Sequence, residues 1–410
     1  MRTILKPLTL AVIAAMPSQA FAAQNSVEVE QYGVSLEATV TQTGGVDNTT
    51  LITQGGVSNE VVAVQLGGSG DSISQYQQGS SHYSEARQLG STVTPYGNLI
   101  LQHQAVGSEN VANATQASSS QSVISQGQHG SSNSAQGNQS DSIGAGLYQL
   151  QVGDRNVATT NQTFAESQST SRQYGSENIS NTLQDNTLGD TAYIWQDGTA
   201  NNATVSQDQG SVSSIEIYSF GIGNSATVVQ YEAIASTAEI ESDGNYNTAT
   251  VSQSGILMNA SSEQNGDRNQ VTATQGGRQN TYVSSQTGND NTIGLAQSGR
   301  DSTVGVTQSG NRNTASLSQN GVGNVLSAVT TGNDNSIVTI QVGMGEVNEL
   351  DLAQDGDSNI IQASQYNEGN YALVSQAGTA NFAVVSQNGA SDSVSVLQSG
   401  STNTARVEQR

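Results

Sequence analysis

The chain has 410 residues, with 11 lysines and arginines against 34 acidic residues, and a formal net charge of −23. Nucleic acids and anionic membranes select basic surfaces, so this charge argues against both as partners. There is no cysteine, so no disulfide can stabilise the protein. Stability must come from backbone pairing and side-chain packing.

Residues 1–22 have the pattern of a secretory signal peptide. Arg2 and Lys6 give a positive start, Leu8–Met16 is apolar, and Ala20–Ala22 fits a cleavage site. The apolar run is too short to span a membrane, and no later segment predicts a transmembrane helix. We therefore predict an exported protein with mature residues 23–410.

The mature chain is predicted to be one repeat domain. Repeats begin at Val27, are degraded over residues 66–151, where looser rungs or protruding loops are expected, and become regular again from Asn156. Near residue 220 the glutamine position of the repeat is interpreted as lost to Phe220. Residues 247–410 are the most regular part.

One phrase recurs through residues 247–410, with its clearest copy at 313–321: Asn-x-φ-x-φ-x-Gln-x-Gly, where φ is apolar. Its Gln position returns every eleven residues, with one two-residue slip. A fixed short period of this kind indicates a repeat architecture. The predicted structural ladder consists of Asn247, Gln253, Asn269, Gln275, Asn291, Gln297, Asn313, Gln319, Asn335, Gln341, Asn359, Gln365, Asn381, Gln387, Asn403 and Gln409.

The spacing within the phrase predicts a strand. Asn, both φ residues and Gln are two residues apart, so their side chains share one face, and Gly lies where the chain turns. Two strands with their turns make a 22-residue rung, and rungs stack about 4.7–4.9 Å apart. The predicted fold is an all-β β-solenoid with amyloid-like cross-β stacking. Stacked Asn and Gln amides can satisfy one another along its axis.

The copy from Asn247 to Gly255 resembles the curlin repeat, and the resemblance extends over essentially the whole mature chain. Curlins are bacterial subunits that leave the cell through an outer-membrane channel and assemble into surface amyloid fibres of the biofilm matrix. The resemblance implies a homopolymer fibre, a curli-type export channel, a partner curlin, and a role in surface adhesion and cell aggregation. Whether the chain is the major or the nucleating subunit stays open.

Other functions are less well supported by the sequence. His82, His103 and His129 share no ligand spacing, and no catalytic constellation recurs, so we predict no enzyme, no cofactor and no metal site. Acidic turns such as residues 288–290 have some likeness to calcium-binding solenoids. The alternative is a monomeric secreted β-solenoid that acts as an adhesin or binds a ligand such as ice or calcium. Trp195 is an outward aromatic candidate for adhesion.

Overall fold

Strands, bends and turns make up the described part of the chain. The computed structural model describes residues 9–14, 24–90, 97–343 and 345–410, and only the backbone of residues 9–14. Within these ranges no residue is helical, and no segment forms a helix that could cross a membrane. The prediction of an all-β protein is confirmed. The chain divides into two compact units, Met1–Gln209 and Gly210–Arg410.

Unit 1 contains two parallel sheets, one of odd-numbered and one of even-numbered strands, each strand pairing with the next but one along the chain. Its strands are β1 Thr9–Ala14, β2 Ser26–Val34, β3 Glu37–Thr43, β4 Thr49–Val57, β5 Glu60–Leu66, β6 Ser72–Ser80, β7 Tyr83–Leu89, β8 Leu99–Ser108, β9 Val111–Ala117, β10 Val123–His129, β11 Ser134–Ser140, β12 Gly146–Asp154, β13 Val157–Thr163, β14 Glu166–Ser176, β15 Ile179–Asp185, β16 Leu188–Thr199 and β17 Asn202–Asp208.

Unit 2 repeats this arrangement with strands that are mostly nine residues long. Its strands are β18 Ser214–Ile222, β19 Ser225–Tyr231, β20 Thr237–Asn245, β21 Thr248–Ile256, β22 Asn259–Asp267, β23 Gln270–Arg278, β24 Thr281–Asn289, β25 Thr292–Arg300, β26 Thr303–Asn311, β27 Thr314–Val322, β28 Val325–Asn333, β29 Ser336–Gly343, β30 Glu349–Asp357, β31 Ile360–Tyr366, β32 Tyr371–Thr379, β33 Phe382–Gln387, β34 Ser393–Ser401 and β35 Thr404–Gln409. Both units are parallel β-solenoids, so the predicted fold class is confirmed.

The core of each unit lies between its two sheets. In β27, Ala315 and Leu317 are buried while the alternate residues Thr314 and Ser316 are exposed, as a strand with one buried face requires. The same alternation recurs in strand after strand. The apolar slots of successive rungs therefore stack into one thin core per unit, lined by Ala, Val, Ile and Leu.

Stacked glycines form the turn at the end of many strands, including most of those in unit 2. Gly310 has φ of 118°, a left-handed value that glycine adopts without strain. A Cβ added there would lie 1.9 Å from the carbonyl oxygen of Gly332 in the next rung. The glycine is required both by the backbone angle and by the close approach of successive turns.

The described parts of residues 66–151, which are 66–90 and 97–151, form paired strands. The Ser/Gln-rich stretch 119–139, whose spacing is ambiguous in the sequence, contains β10 and β11, with Gln126, Gln128 and Gln139 buried. The number of residues between paired positions of successive rungs varies here. It is 27 from Gln75 to Gln102 and 23 for many other pairs of unit 1, such as Gln126 and Gln149. Connections of unequal length hide the repeat from a fixed eleven-residue frame.

The predicted signal peptide falls largely outside the described residues. The backbone of Thr9–Ala14 forms β1, which pairs in parallel with Glu37–Gln42 of β3. Residues 1–8 and 15–23 are not described, so cleavage after Ala22 stays a prediction.

Candidate functional site: the stacked amide ladders

A continuous column of glutamines runs through the odd-numbered strands of unit 2. The Gln319 side chain accepts a bond from Gln297 Nε2 at 3.0 Å and donates to Gln341 Oε1 at 2.7 Å. Its Nε2 also donates to the carbonyl oxygen of Thr303, on the opposite sheet, at 3.1 Å. The side chain is 1 % exposed, so each of these bonds replaces one that water would make.

The column extends from β19 to β35 without interruption. Each Nε2 donates to the Oε1 of the next residue at 2.7 to 3.0 Å, in the order Gln230, Gln253, Gln275, Gln297, Gln319, Gln341, Gln365, Gln387 and Gln409. The structure thus brings all eight glutamines of the predicted ladder into one column.

The asparagines of the predicted ladder form a second column that bonds backbone groups as well as neighbouring side-chain amides, as Asn313 Nδ2 donates to Asn291 Oδ1 at 3.1 Å. The Asn313 backbone N–H donates to Asn291 Oδ1 at 3.0 Å, and its Nδ2 donates to the Gly332 carbonyl at 2.8 Å. The side-chain amide therefore bridges backbone groups of neighbouring rungs. The same backbone-to-Oδ1 bond, at 2.9 to 3.1 Å, is made by Asn247, Asn269, Asn291, Asn313, Asn335, Asn359, Asn381 and Asn403.

Unit 1 contains equivalent glutamine columns and one additional column. In even-numbered strands β6, β8, β10 and β12, a glutamine also replaces the second apolar residue, and these side chains form a chain at 2.7 to 2.9 Å: Gln75, Gln102, Gln126 and Gln149. Sequence analysis missed this column. Its signal is the pair Gln-x-Gln, which occurs at residues 75–77, 102–104, 126–128 and 149–151.

The interpretation that Phe220 replaces the ladder glutamine in β18 is wrong. Ser219 points inward and is fully buried, whereas Phe220 is half-buried on the outer face. The register follows from Gly221, because a turn glycine lies two residues after the ladder position, as Gly321 does after Gln319. In the next rung Ser242 occupies this position, and its Oγ donates to Gln264 Oε1 at 3.2 Å.

Thr330 interrupts the glutamine column on the even-numbered strands of unit 2. It pairs in register with Gln308 on one side and Gln354 on the other, and it is 2 % exposed. The shorter side chain leaves Gln354 Oε1 buried with no hydrogen-bond partner among the described residues. This position is therefore a defect in an otherwise regular column.

We expect Thr330→Gln to stabilise the protein by about 1 kcal/mol, because the new amide accepts from Gln308 and donates to Gln354. Urea unfolding monitored by circular dichroism measures the effect. Thr331→Gln, on the exposed face of the same strand, is the matched control and should leave stability within about 0.5 kcal/mol. A Thr330→Gln variant no more stable than the control would contradict the assignment of the defect.

His82 occupies an asparagine position in unit 1. His82 is 1 % exposed, and its backbone N–H donates to Asn59 Oδ1 at 2.9 Å. The imidazole Nδ1 accepts a hydrogen bond from the backbone N–H of Asn110 at 3.3 Å. Burial lowers the pKa of the His82 imidazole below its usual value of 6.5. The neutral ring thus takes the place of an asparagine side chain in the column.

His82 predicts a loss of stability in weak acid. Because the unfolded chain binds the proton more readily, the contribution of His82 is complete above pH 6.5 and falls as the pH drops toward the lowered folded pKa. Thermal melts at pH 7.5 and 5.5 measure the loss. In His82→Asn, which restores the usual residue, we expect a smaller difference between the two pH values; an unchanged difference would show that His82 is not responsible.

In unit 2, the polar side chains of the acidic turn at residues 288–290 form hydrogen bonds and an ion pair with the turns of neighbouring rungs. Asn289 accepts from the Asp267 N–H at 3.0 Å and donates to Asn311 Oδ1 at 3.1 Å. Asp290 pairs with Arg268 at 2.7 Å, and that arginine lowers the pKa of the Asp290 carboxyl. Among the described residues, no group of three or more His, Cys, Asp or Glu side chains is placed to hold a metal ion.

The three histidines are separated by the fold into two environments. His82 lies in the core of unit 1, whereas His103 lies on the outer face of β8 and stacks on Tyr76 with ring centroids 4.8 Å apart. His129 lies 5.5 Å from the His103 ring. Partial burial and the neighbouring His129 lower the pKa of His103.

Comparison with known proteins gives one family match. The model of the curlin associated repeat matches residues 378–410, which include β33, β34 and β35. No curated protein matches the chain closely enough to count as a relative. The matched residues contain the Asn381, Gln387, Asn403 and Gln409 positions of the amide columns. Over residues 378–410 the chain is therefore similar to the curlin associated repeat.

Proposed function

We propose that the protein is a structural subunit of an extracellular, curli-like amyloid fibre, and that it assembles by stacking the last rung of one copy on the first rung of another. The repeat and the solenoid favour a structural protein over an enzyme. The observation that carries the proposal is the incomplete burial of the last rung.

The last rung has the same inward residues as the rung before it but leaves them uncovered. Ala383 and Val385 of β33 are 0 % and 1 % exposed, whereas Ala405 and Val407 of β35 are only half-buried. Among the described strands, β35 pairs with β33 alone. The core and the backbone pairing groups of unit 2 thus remain available for one more strand at this edge.

The edge of the even-numbered sheet at β2 offers a matching surface. Val27 and Val29 of β2 are half-buried, and Gln31 Oε1 has no hydrogen-bond donor among the described residues. In both units, wherever two ladder glutamines bond, the earlier one donates to the one in the rung that follows, as Gln31 does to Gln54 at 2.6 Å. A column of this direction supports head-to-tail stacking, with Nε2 groups of one copy meeting Oε1 groups of the next.

Charge favours growth along this axis over lateral clumping. The net charge of −23 makes copies repel one another side by side. End-to-end stacking gains backbone hydrogen bonds and core burial that offset this repulsion. We further propose that the protein is secreted through a curli-type outer-membrane channel and assembles with a partner curlin. Its fibres would form part of the biofilm matrix and contribute to surface adhesion and cell aggregation.

A substitution on the last rung tests the proposal. Val407→Lys places a charge in the uncovered core position and should slow fibre elongation strongly, because a buried unpaired charge is costly. Thr404→Lys adds the same charge to the outer face of the same strand and should elongate nearly normally. Elongation from seeds is measured by sedimentation and electron microscopy.

Two results would overturn the stacking proposal. One is equal elongation rates for the Val407→Lys and Thr404→Lys variants, which would mean that growth does not use the inward face of β35. The other is unmodified protein that stays monomeric at high concentration, which would favour the alternative of a soluble solenoid adhesin.

A further inference from the structure

One outer surface of unit 1 carries several aromatic side chains. It lies on the even-numbered strands from β6 to β16. We call it the aromatic face, and it consists of Tyr76, His103, Tyr148, Tyr174, Tyr193 and Trp195. The equivalent outward positions of β27 are Ser316 and Ser318.

Strand register places these rings side by side. Tyr148 and Tyr193 lie in one column, with Thr170 between them on β14. Trp195 lies beside Arg172 in the adjacent column. The parallel sheet holds neighbouring columns about 7 Å apart along a strand and neighbouring rungs about 4.8 Å apart. The rings therefore form two groups, Tyr76 with His103 on β6 and β8 and the other four on β12–β16, with Gly127 of β10 between them.

The side chains of β14 and β16 contact one another directly. The Tyr174 and Trp195 ring centroids are 6.2 Å apart, and the Arg172 guanidinium lies 5.8 Å from the Tyr193 ring centroid. Tyr148 is 42 % exposed, and Tyr174, Tyr193 and Trp195 are half-buried. The aromatic face thus presents ring surface to solvent from a rigid sheet that is already ordered before any partner binds.

The charge of the protein restricts what this face can bind. A chain with a net charge of −23 repels nucleic acids, anionic lipids and acidic polysaccharides, and it also repels a second copy of itself in a lateral contact. A neutral polymer carries no such penalty. The polymer must also have a surface that packs against aromatic rings and polar groups that bond hydroxyl and imidazole side chains.

We propose that the aromatic face binds a neutral polysaccharide chain. The C–H faces of sugar rings pack against the electron-rich faces of Tyr and Trp, and the Tyr hydroxyl, Thr170 and His103 side chains can bond sugar hydroxyls at the edges. The several rungs of the aromatic face fit an extended polymer better than a single sugar. This binding belongs to one subunit and goes beyond the proposed assembly into fibres.

Trp195 allows a direct test because it is the only tryptophan of the chain. The purified chain is titrated with hydroxyethyl cellulose, a neutral β-glucan, and separately with carboxymethyl cellulose, which has the same backbone but is anionic. We expect a saturable change in Trp195 fluorescence with the neutral polymer and a much weaker one with the anionic polymer. No change with the neutral polymer, or an equal response to both, would overturn the proposal.

A matched pair of variants places the binding on this face. Tyr148→Thr should weaken binding of the neutral polymer by about two- to tenfold. Tyr366→Thr removes a tyrosine of similar exposure, 39 % against 42 %, from unit 2 and should bind like the unmodified chain. Thr suits an exposed strand position, and circular dichroism confirms that both variants fold.

The same variants distinguish carbohydrate binding from contact between copies. Equal affinities for the Tyr148→Thr and Tyr366→Thr variants would overturn the assignment to the aromatic face. So would a change in sedimentation coefficient caused by Tyr148→Thr in the absence of polysaccharide, because that result would mean that the face contacts a second copy.

Discussion

Replacing Gly310 with alanine is expected to destabilise unit 2 by about 3 kcal/mol or more. The new Cβ would lie 1.9 Å from the Gly332 carbonyl oxygen, and the residue would keep a φ of 118° that alanine rarely adopts. Because the obstructing atom belongs to the backbone of the next rung, only a shift of the stacked turns can relieve the overlap. Thermal and urea unfolding measure the loss.

Gly305→Ala is the control for this substitution. Gly305 lies on the outer face of the same strand, and a Cβ added there meets no atom within 4 Å. Alanine in a strand restricts the unfolded chain more than glycine does, so we expect no loss and a gain of up to about 1 kcal/mol. Equal losses for Gly310→Ala and Gly305→Ala would mean that the turns do not stack as closely as described.

Gln319→Ala is expected to cost about 1–3 kcal/mol for the unsatisfied amide groups that remain, with a further cost for the cavity. Gln341 Oε1 loses its donor from this column and Gln297 Nε2 loses one of its acceptors, and both side chains are buried. Stability in a solenoid is roughly a sum over rungs and their interfaces, so the variant should still fold. Urea unfolding gives the magnitude.

Ser318→Ala is the matched control for Gln319→Ala. The serine is adjacent in the chain and lies on the outer face of β27, so its loss should change stability by less than about 0.5 kcal/mol. If the two substitutions were equally harmful, the stabilising role assigned to the inward column would be wrong.

The fold could be predicted from the sequence because its signals are local. A two-residue spacing from Asn313 to Gln319 is enough to assign a strand and its buried face, and the glycine that follows marks the turn. The fixed period then implies stacking. These properties depend on residues within one rung, and one rung is visible in a single stretch of sequence.

The partners of the polar groups could not be predicted so well. Asn313 pairs with the side-chain amides of Asn291 and Asn335 as expected, but it also joins backbone groups of neighbouring rungs, which the repeat alone does not indicate. The bonds made by His82 depend on Asn59 and Asn110, which are 23 and 28 residues away. Variable connections, as between Gln75 and Gln102, change which residues become neighbours. Such contacts are set by the packing of rungs, which no single repeat specifies.

X-ray diffraction from aligned fibres of the purified protein is the decisive measurement for the proposal that the stacking of rungs continues from β35 of one copy into the next. The account predicts a meridional reflection at about 4.7–4.8 Å, because the strands lie perpendicular to the fibre axis. The same reflection on the equator, with strands running along the fibre, would contradict it.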